Sequence, residues 1–148
     1  MRLSFEPSPR PEDYPFAHRV RVRFAETDAM GIVHHGSYVL YMEEARVAYL
    51  RHVGHPYAEM RADGTDTVVL EVAIRYRRPL QFDDLVDVHL GLVRARAATF
   101  EIAYLLTVDG EVRATAATAH GSLDRDGRPM RLPAWMVALA TTTHTSVR

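Results

Sequence analysis

One long helical stretch, set among many alternating stretches, is the feature that most constrains the fold of this chain. Apolar residues recur at spacings of four, three, four and four, which puts on one helix face Tyr38, Met42, Ala45, Tyr49 and Val53. Ser37 is placed to cap the start of this helix, and Gly54 with Pro56 to end it. The pattern predicts a single helix over residues 37–53, about 25 Å long.

The remaining stretches alternate between apolar and other residues, as half-buried strands do. They run from His18 to Phe24, Thr67 to Arg77, Asp84 to Arg96, Thr99 to Val108 and Glu111 to Leu123. The first stretch is predicted to bury Val20, Val22 and Phe24, and the second to share one face among Val68, Leu70, Val72, Ile74 and Tyr76. We therefore predict an α+β fold, in which about five antiparallel strands lie against one helix.

Length and composition favour a single domain and exclude several kinds of site. The 148 residues suit one domain, predicted over residues 18–140, between a proline-rich arm at 1–17 and a frayed tail at 141–148. A short helix is predicted to start at Pro133. Cysteine is absent, which excludes disulfides, thiolate catalysis and cysteine metal sites.

Charge and hydropathy narrow the possible partners. The formal net charge is −1, which argues against binding to nucleic acid. No run approaches the ~18 apolar residues of a membrane span, and the N-terminus lacks the apolar stretch of a secretory signal. We therefore expect a cytoplasmic protein without membrane insertion. All 18 basic residues are arginine, so a bound anion would be held by arginine or by backbone N–H groups.

The stretch between the first strand and the helix carries the residues best suited to chemistry, AETDAMGIVHHGSY. Two interpretations of Asp28 are open at this point. It is either an Asx-type turn residue or a carboxylate that takes part in hydrolysis. Gly31 allows the loop backbone to approach a ligand closely, and the helix start offers unpaired N–H groups with the positive end of the helix dipole.

Three other interpretations of this region are less favoured. A metal site needs three or four convergent ligands, and the adjacent His34 and His35 are expected to point apart on an extended segment, so we predict no metal. Ser37 lacks the G-x-S-x-G context of a hydrolase nucleophile. Glu43 lies three residues before Arg46, where the two side chains can pair on the helix surface.

A resemblance to a known family begins in this stretch. The run VRFAETDAMGIVHHGSYVLYMEEARVAYLR resembles the 4-hydroxybenzoyl-CoA thioesterase family of hotdog-fold proteins, and within it the Tol-Pal-associated thioesterases. The matching residues are Thr27, Asp28, Gly31, Val33, Tyr38, Glu43 and Arg46. The stretches RYRRPLQFDDLVDV and HGSLDRDGRPMRLP extend the resemblance over residues 18–133. Some relatives carry a tyrosine where this chain has Phe24.

The resemblance implies a hotdog fold, in which a curved antiparallel sheet wraps a long central helix, and acyl-CoA thioesterase activity. No cofactor is implied, because coenzyme A is part of the substrate and product. Asp28 would be the nucleophile or the general base, and the backbone N–H of His35 would polarise the thioester carbonyl. A contact from the His35 side chain stays open, and Gly31, Val33 and Tyr38 would lie along the substrate.

Arginines near the end of the second strand stretch are candidates for the phosphates of coenzyme A: Arg75, Arg77 and Arg78. The alternative is a solvated strand edge. The resemblance further implies a homodimer or homotetramer, because pairing two units covers an exposed strand edge and builds sites between protomers. Two other functions stay open: a non-catalytic hotdog module that binds acyl-CoA, and a thioesterase that acts on acyl carrier protein.

Overall fold

A computed structural model describes Leu3 and residues 5–142, with side chains described as far as residue 140. Its elements are β1 (Phe16–Arg21), α1 (Ser37–His52), α2 (Tyr57–Ala62), β2 (Asp66–Tyr76), β3 (Leu85–Arg96), β4 (Thr99–Val108), β5 (Glu111–Leu123) and α3 (Ala134–Thr142). The predicted α+β class is confirmed. The sequence analysis did not predict α2, which is a short helix of six residues.

The five strands form one antiparallel sheet in the order β1-β3-β4-β5-β2, so that β1 and β2 are its edges. Asp109-Gly110, a residue pair that predicts a tight hairpin, joins β4 to β5, and both residues take the positive φ angles that such a turn requires. The helix α1 covers the inner face of the sheet. The core between them includes Tyr41, Met42, Ala45, Leu90, Ile102, Tyr104 and Leu106, all at most 2% exposed.

The long helix lies where its periodicity placed it, but its first residue differs from the prediction. Tyr38, Tyr41, Met42, Ala45 and Tyr49 form its buried face. The cap residue is Gly36, and Ser37 is the first helical residue, whose hydroxyl donates to the carbonyl oxygen of Glu26 at 3.4 Å. Ser37 therefore joins the helix to the preceding loop instead of capping the helix.

The prediction that Val68, Leu70, Val72, Ile74 and Tyr76 share one face of β2 is wrong. A register shift relative to β5 falls between Val69 and Glu71. Because side chains alternate with a period of two, this bulge moves the first half of the strand to the other face. Val69 pairs with His120 and faces the core side, whereas Val68 and Leu70 lie beside Gly121 on the outer face.

β1 also ends earlier than its alternation predicted. Val20 and Val22 are buried, but Phe24 begins a short 3-10 turn, Phe24–Glu26, and is 76% exposed. Its ring packs edge-on against that of Phe82, with centroids 5.7 Å apart. The turn redirects the chain toward α1, so Phe24 leaves the sheet face that the strand pattern had assigned to it.

The predicted N-terminal arm lies on the outer face of the sheet. Phe5 and Tyr14 are buried there against Ala103, Leu105 and Ala117. The Tyr14 hydroxyl donates to the carbonyl oxygen of Ser8 at 2.7 Å. The strand β1 begins at Phe16, within the stretch predicted as the arm.

At the other end of the chain, α3 begins at Ala134, next to the predicted start, and runs to Thr142. The first two residues of the predicted tail are therefore helical, and residues 143–148 lie outside the described part of the chain. Among the described residues, no helix has the length and apolar character needed to cross a membrane.

Candidate active site

Residues 27–33 form a small hairpin between β1 and α1, which we call the Asp28 hairpin. Thr27 and Val33 face each other as an isolated bridge, and the Asp28 N–H donates to the Ile32 carbonyl at 2.8 Å. The Gly31 N–H closes the turn on the Asp28 carbonyl at 3.0 Å, with Gly31 at a φ of 77°. Glycine suits this position because other residues adopt that backbone conformation only at a cost.

The Asp28 side chain has one oxygen engaged in the turn and one without a partner. Oδ1 accepts the Met30 N–H at 2.9 Å, which is the Asx-type bond that the structural interpretation predicts. Within the described part of the chain, Oδ2 accepts no hydrogen bond. The two interpretations of Asp28 are therefore compatible, because the turn orients the carboxylate through one oxygen and leaves the other available.

Two backbone hydrogen bonds hold the second strand of the Asp28 hairpin in place. The Val33 N–H donates to the Leu80 carbonyl, and the His34 N–H donates to the Glu26 carbonyl, both at 2.8 Å. Leu80 is completely buried and belongs to the segment between β2 and β3. The hairpin is thus fixed to the segment between β2 and β3 on one side and to the chain before it on the other.

Glu26 is a positioning residue that the sequence analysis did not identify. Its carboxylate is almost fully buried and accepts hydrogen bonds from the Arg23 N–H at 2.7 Å, from the Arg23 guanidinium at 3.1 Å and from the Tyr41 hydroxyl at 3.0 Å. Burial by itself raises the pKa of Glu26, but the bonds from Arg23 and Tyr41 outweigh burial and hold the pKa below 4.5. In the sequence, the only indication of this role was an acidic residue two positions before Asp28.

The expectation that His34 and His35 point apart is wrong. Their rings lie side by side with centroids 4.1 Å apart, because Nδ1 of His34 turns back to accept the Gly36 N–H at 3.0 Å. The His35 carbonyl accepts the Tyr76 hydroxyl at 3.0 Å. The His35 N–H, just before the start of α1, has no acceptor among the described residues.

A pocket of about 330 Å³ opens beside the Asp28 hairpin, and we call it the Asp28 pocket. It is lined by Asp28, Met30, Ile32, Val33, His35, Tyr38, Tyr76, Arg77, Arg78 and Pro79. Six of the eight residues predicted for the site are in this set. Gly31 lies in the hairpin turn and is not a lining residue. Tyr76 is a lining residue that the sequence analysis had not assigned to the site.

The three candidate arginines are divided between the two faces of the sheet. Arg77 and Arg78 line the Asp28 pocket, where Arg78 pairs with Glu111 at 2.8 Å. Arg75 lies on the outer face and pairs with Glu6 of the arm at 2.7 Å. The structure therefore does not bring Arg75 to the pocket, because Arg75 lies within β2 on the outer face. Arg77 and Arg78 follow the end of β2 at Tyr76, where the alternation of the strand no longer applies.

The remaining acids near the site have other partners, and no metal cluster forms in the described residues. Glu44 contacts Nε2 of His18 at 3.0 Å, and Glu43 lies 3.9 Å from Arg46 as the helical spacing predicted. Within the described chain, no three histidine, aspartate or glutamate side chains converge as metal ligands would. The groups that the Asp28 pocket offers for hydrolysis and anion binding include the Asp28 carboxylate, the unpaired His35 N–H and the guanidinium groups of Arg77 and Arg78.

A comparison with protein families identifies the superfamily to which this fold and this pocket belong. The profile of the Thioesterase-like superfamily matches residues 22–139, a span that holds the Asp28 hairpin and every strand after it. The chain belongs to the thioesterase-like superfamily. The predicted hotdog fold and the predicted resemblance to this family are confirmed.

Several relatives of this thioesterase-like chain are known. A hypothetical protein from Aquifex aeolicus has a crystal structure with a TM-score of 0.81 and 39% identity, covering 85% of this chain and 99% of that one. The acyl-CoA thioester hydrolase YbgC of Escherichia coli O6:H1 is 32% identical over 80 residues, which is 54% of this chain and 60% of that protein. A thioesterase from Thermus thermophilus, crystallised with coenzyme A and Zn, has a TM-score of 0.76 and 29% identity, covering 88% and 97%.

These similarities support the predicted enzyme class. Proteins named as thioesterases recur among the relatives at both the sequence and the structural level. The prediction that the chain is a thioester hydrolase is confirmed at the level of the family.

The lowered pKa of Glu26 leads to a prediction about stability and pH in this thioesterase-like chain. Glu26→Gln should lower the free energy of unfolding at pH 7 by about 2 kcal/mol, because a buried carboxylate loses its charge-assisted bonds. The folded chain binds the Glu26 proton less tightly than the unfolded chain does. The stabilisation is therefore fully present above pH 4.5 and is lost as the pH falls through the lower, folded-state pKa.

Urea unfolding followed by circular dichroism, at one protein concentration and a series of pH values, measures this effect. The difference between wild type and Glu26→Gln should shrink as the medium becomes more acidic. Glu59→Gln, an exposed change on α2, serves as the control and should alter the stability by no more than about 0.5 kcal/mol. A difference for Glu26→Gln that does not change with pH would contradict the assigned role.

Proposed function

We propose that this chain hydrolyses an acyl-CoA thioester to a free carboxylic acid and coenzyme A, with Asp28 as nucleophile or general base. One observation carries the proposal. The Asp28 carboxylate, with an unpaired oxygen, and His35, with an unpaired backbone N–H, line the same pocket. A carboxylate opposite a free amide is what attack on a carbonyl carbon requires.

The proposed chemistry needs no further group. In the general-base route, Asp28 takes a proton from water while the water oxygen forms a bond to the thioester carbon. The carbonyl oxygen gains negative charge and accepts the His35 N–H, which lies at the positive end of the α1 dipole. Collapse of the intermediate breaks the carbon–sulfur bond, and the thiolate leaves and takes up a proton. In the nucleophilic route, an Asp28 oxygen bonds to the thioester carbon and the carbon–sulfur bond breaks, so that the thiolate leaves and an acyl anhydride remains. Water then hydrolyses the anhydride to the free acid and regenerates Asp28.

Rigid support is available for both groups. The Met30 N–H holds one oxygen of Asp28, and the Tyr76 hydroxyl holds the carbonyl oxygen of His35. The peptide that carries the His35 N–H is held at its other end, because the His34 carbonyl accepts the Ser37 N–H at 2.9 Å. A preorganised donor of this kind loses little free energy to reorientation during the reaction.

Arg77 is our candidate for the phosphates of coenzyme A. Its guanidinium has no partner among the described residues, whereas Arg78 is already paired with Glu111. Arg77 is exposed at the rim of the Asp28 pocket, where a long substrate can reach it while its thioester lies inside. A planar guanidinium binds phosphate through two parallel hydrogen bonds.

A homodimer is the assembly that we propose, and two dimers would form the predicted tetramer. The edge strand β2 is open and carries exposed apolar side chains, among them Val69, Leu70 and Val72. An open apolar edge of this kind favours pairing with a second chain. We also propose a cytoplasmic location, consistent with the absence of cysteine, and activity without a cofactor.

The Asp28 proposal predicts a specific loss of activity. Asp28→Asn should reduce thiol release by at least ~100-fold, because the amide can neither attack nor accept a proton. Asparagine also forms Asx-type turns, so the hairpin should keep its structure. Thiol release from short-chain, long-chain and aromatic acyl-CoA substrates, followed with a thiol reagent, measures the effect.

Ser37→Ala is the control variant, because it removes the serine hydroxyl nearest in sequence that could act as a nucleophile. It should keep activity within about tenfold of wild type. Activity retained by Asp28→Asn would exclude the carboxylate mechanism. A wild-type chain that binds acyl-CoA without releasing thiol would identify a binding module. Release only from acylated carrier protein would reassign the substrate.

The phosphate contact can be tested separately from the chemistry. Arg77→Gln should raise KM for acyl-CoA by about five- to tenfold, the loss expected for one charge-assisted contact, with kcat little changed. An S-acyl-N-acetylcysteamine substrate lacks the phosphates, so its KM should not change. Arg75→Gln, on the other face of the sheet, should leave both substrates unaffected, and an equal effect of the two variants would refute the assignment.

The proposed dimer predicts the effect of a charge on the β2 edge. Leu70→Glu should convert the dimer to monomers, because an unpaired carboxylate would be buried in the interface. Size-exclusion chromatography with light scattering measures the mass directly. Ala58→Glu, an exposed change on α2, should remain dimeric. A dimer that persists in Leu70→Glu would show that the chains pair through another surface.

A further inference from the structure

A second cavity, also of about 330 Å³, lies beside the C-terminal half of α1, and we call it the α3 cavity. It shares no lining residue with the Asp28 pocket. Its walls come from all three helices and from β2, β3 and β4. The mechanism proposed for Asp28 makes no use of this space.

Most of the lining of the α3 cavity is apolar. α3 contributes Trp135, Met136 and Leu139, and β4 contributes Phe100 and Ile102. The volume lies at the small end of the ~300–1,000 Å³ that is typical of ligand pockets. A cavity of this size and lining suits a medium-chain or aromatic body.

Arg46 is the one cationic residue among the lining residues of this cavity. Its side chain is only 17% exposed, yet its contacts are weak. One guanidinium nitrogen donates to the Tyr104 hydroxyl at 3.3 Å, and another lies 3.9 Å from the carboxylate of Glu43, which is mostly in solvent. Arginine carries five N–H donors, so this guanidinium retains donors for a further acceptor.

Among the described residues, no second carboxylate lies within 4.0 Å of the Arg46 guanidinium. His120 stacks on Phe100 and bonds Thr118, which in turn bonds Tyr104. Burial, with a smaller contribution from the Arg46 charge, lowers the pKa of His120 to about 3, so His120 is neutral at physiological pH. A partly buried cation with a distant counter-ion favours an anionic ligand that can accept two hydrogen bonds.

We propose that the α3 cavity binds a small monocarboxylic acid, with its apolar body among the α3 side chains and its carboxylate on Arg46. The chemistry is that of the acid which thioester hydrolysis releases. The identification of the natural ligand as that product rests on the proposed function, whereas the binding itself does not.

The test uses Trp135, the only tryptophan in the chain, which lines the cavity. Octanoate and the neutral octanamide are titrated into the full-length protein at fixed pH and ionic strength while tryptophan fluorescence is recorded. Octanoate should give a saturable change, with an affinity at least ~10-fold above that of octanamide. Arg46→Met should remove this preference, and Arg46→Lys should restore part of it.

Two further variants separate this cavity from the Asp28 pocket. Leu139→Phe reduces the cavity volume and should weaken both ligands, with circular dichroism and thermal melting used to verify the fold. Asp28→Asn should bind octanoate as wild type does, whether or not the chain releases thiol from acyl-CoA. No saturable change, equal preference in Arg46→Met, or loss of binding in Asp28→Asn would each overturn the proposal.

Discussion

The buried carboxylate of Glu26 is the interaction on which the candidate site depends. It joins the chain just after β1, through Arg23, to the buried face of α1, through Tyr41. The carbonyl oxygen of the same residue accepts the His34 N–H and, at longer range, the Ser37 hydroxyl. One residue thus fixes the strand, the helix start and the returning strand of the Asp28 hairpin. Charge-assisted hydrogen bonds can do this in a buried position because they offset the cost of removing the carboxylate from water.

The site combines a structural and a chemical role in one side chain. The Asp28 carboxylate closes a turn through one oxygen, which removes the rotational freedom that a loop carboxylate would otherwise have. Its other oxygen remains available at the pocket. Residues held on tightly bonded backbone give more accurate sites than residues on free loops. The Asp28 hairpin lies outside the helices and strands of the fold, and it is held in place because the carbonyl oxygens of Leu80 and Glu26 accept hydrogen bonds from its returning strand.

Different segments cover the two faces of the sheet, whereas the β2 edge is left open. The outer face is covered by Phe5 and Tyr14 of the arm, and the inner face by α1. The edge strand β2 stays open with apolar side chains on both of its faces, because the bulge between Val69 and Glu71 divides them between the core side and the outside. The same alternation sends Tyr76 to the Asp28 pocket and Arg75 to the arm.

Local sequence patterns were enough to predict the main elements and the position of the loop chemistry. The helix over Ser37–His52, the strands that follow it and the turns at Gly31 and Asp109-Gly110 all rest on periodicity or backbone preference within a few residues. The combined motif around Asp28 was sufficient to indicate the family, and six of the predicted site residues meet in one pocket.

Which of these residues have partners and which remain free depends on contacts that form only in the folded chain. The partner of Arg75 is Glu6, and the residue that holds His35 is Tyr76, each far away in the chain. The bulge in β2 changes which side chains face the core, and no local pattern marks its position. Local patterns specify hydrogen bonding among near neighbours, whereas contacts between distant segments depend on strand register. A shift of one residue in that register reverses every side chain that follows it.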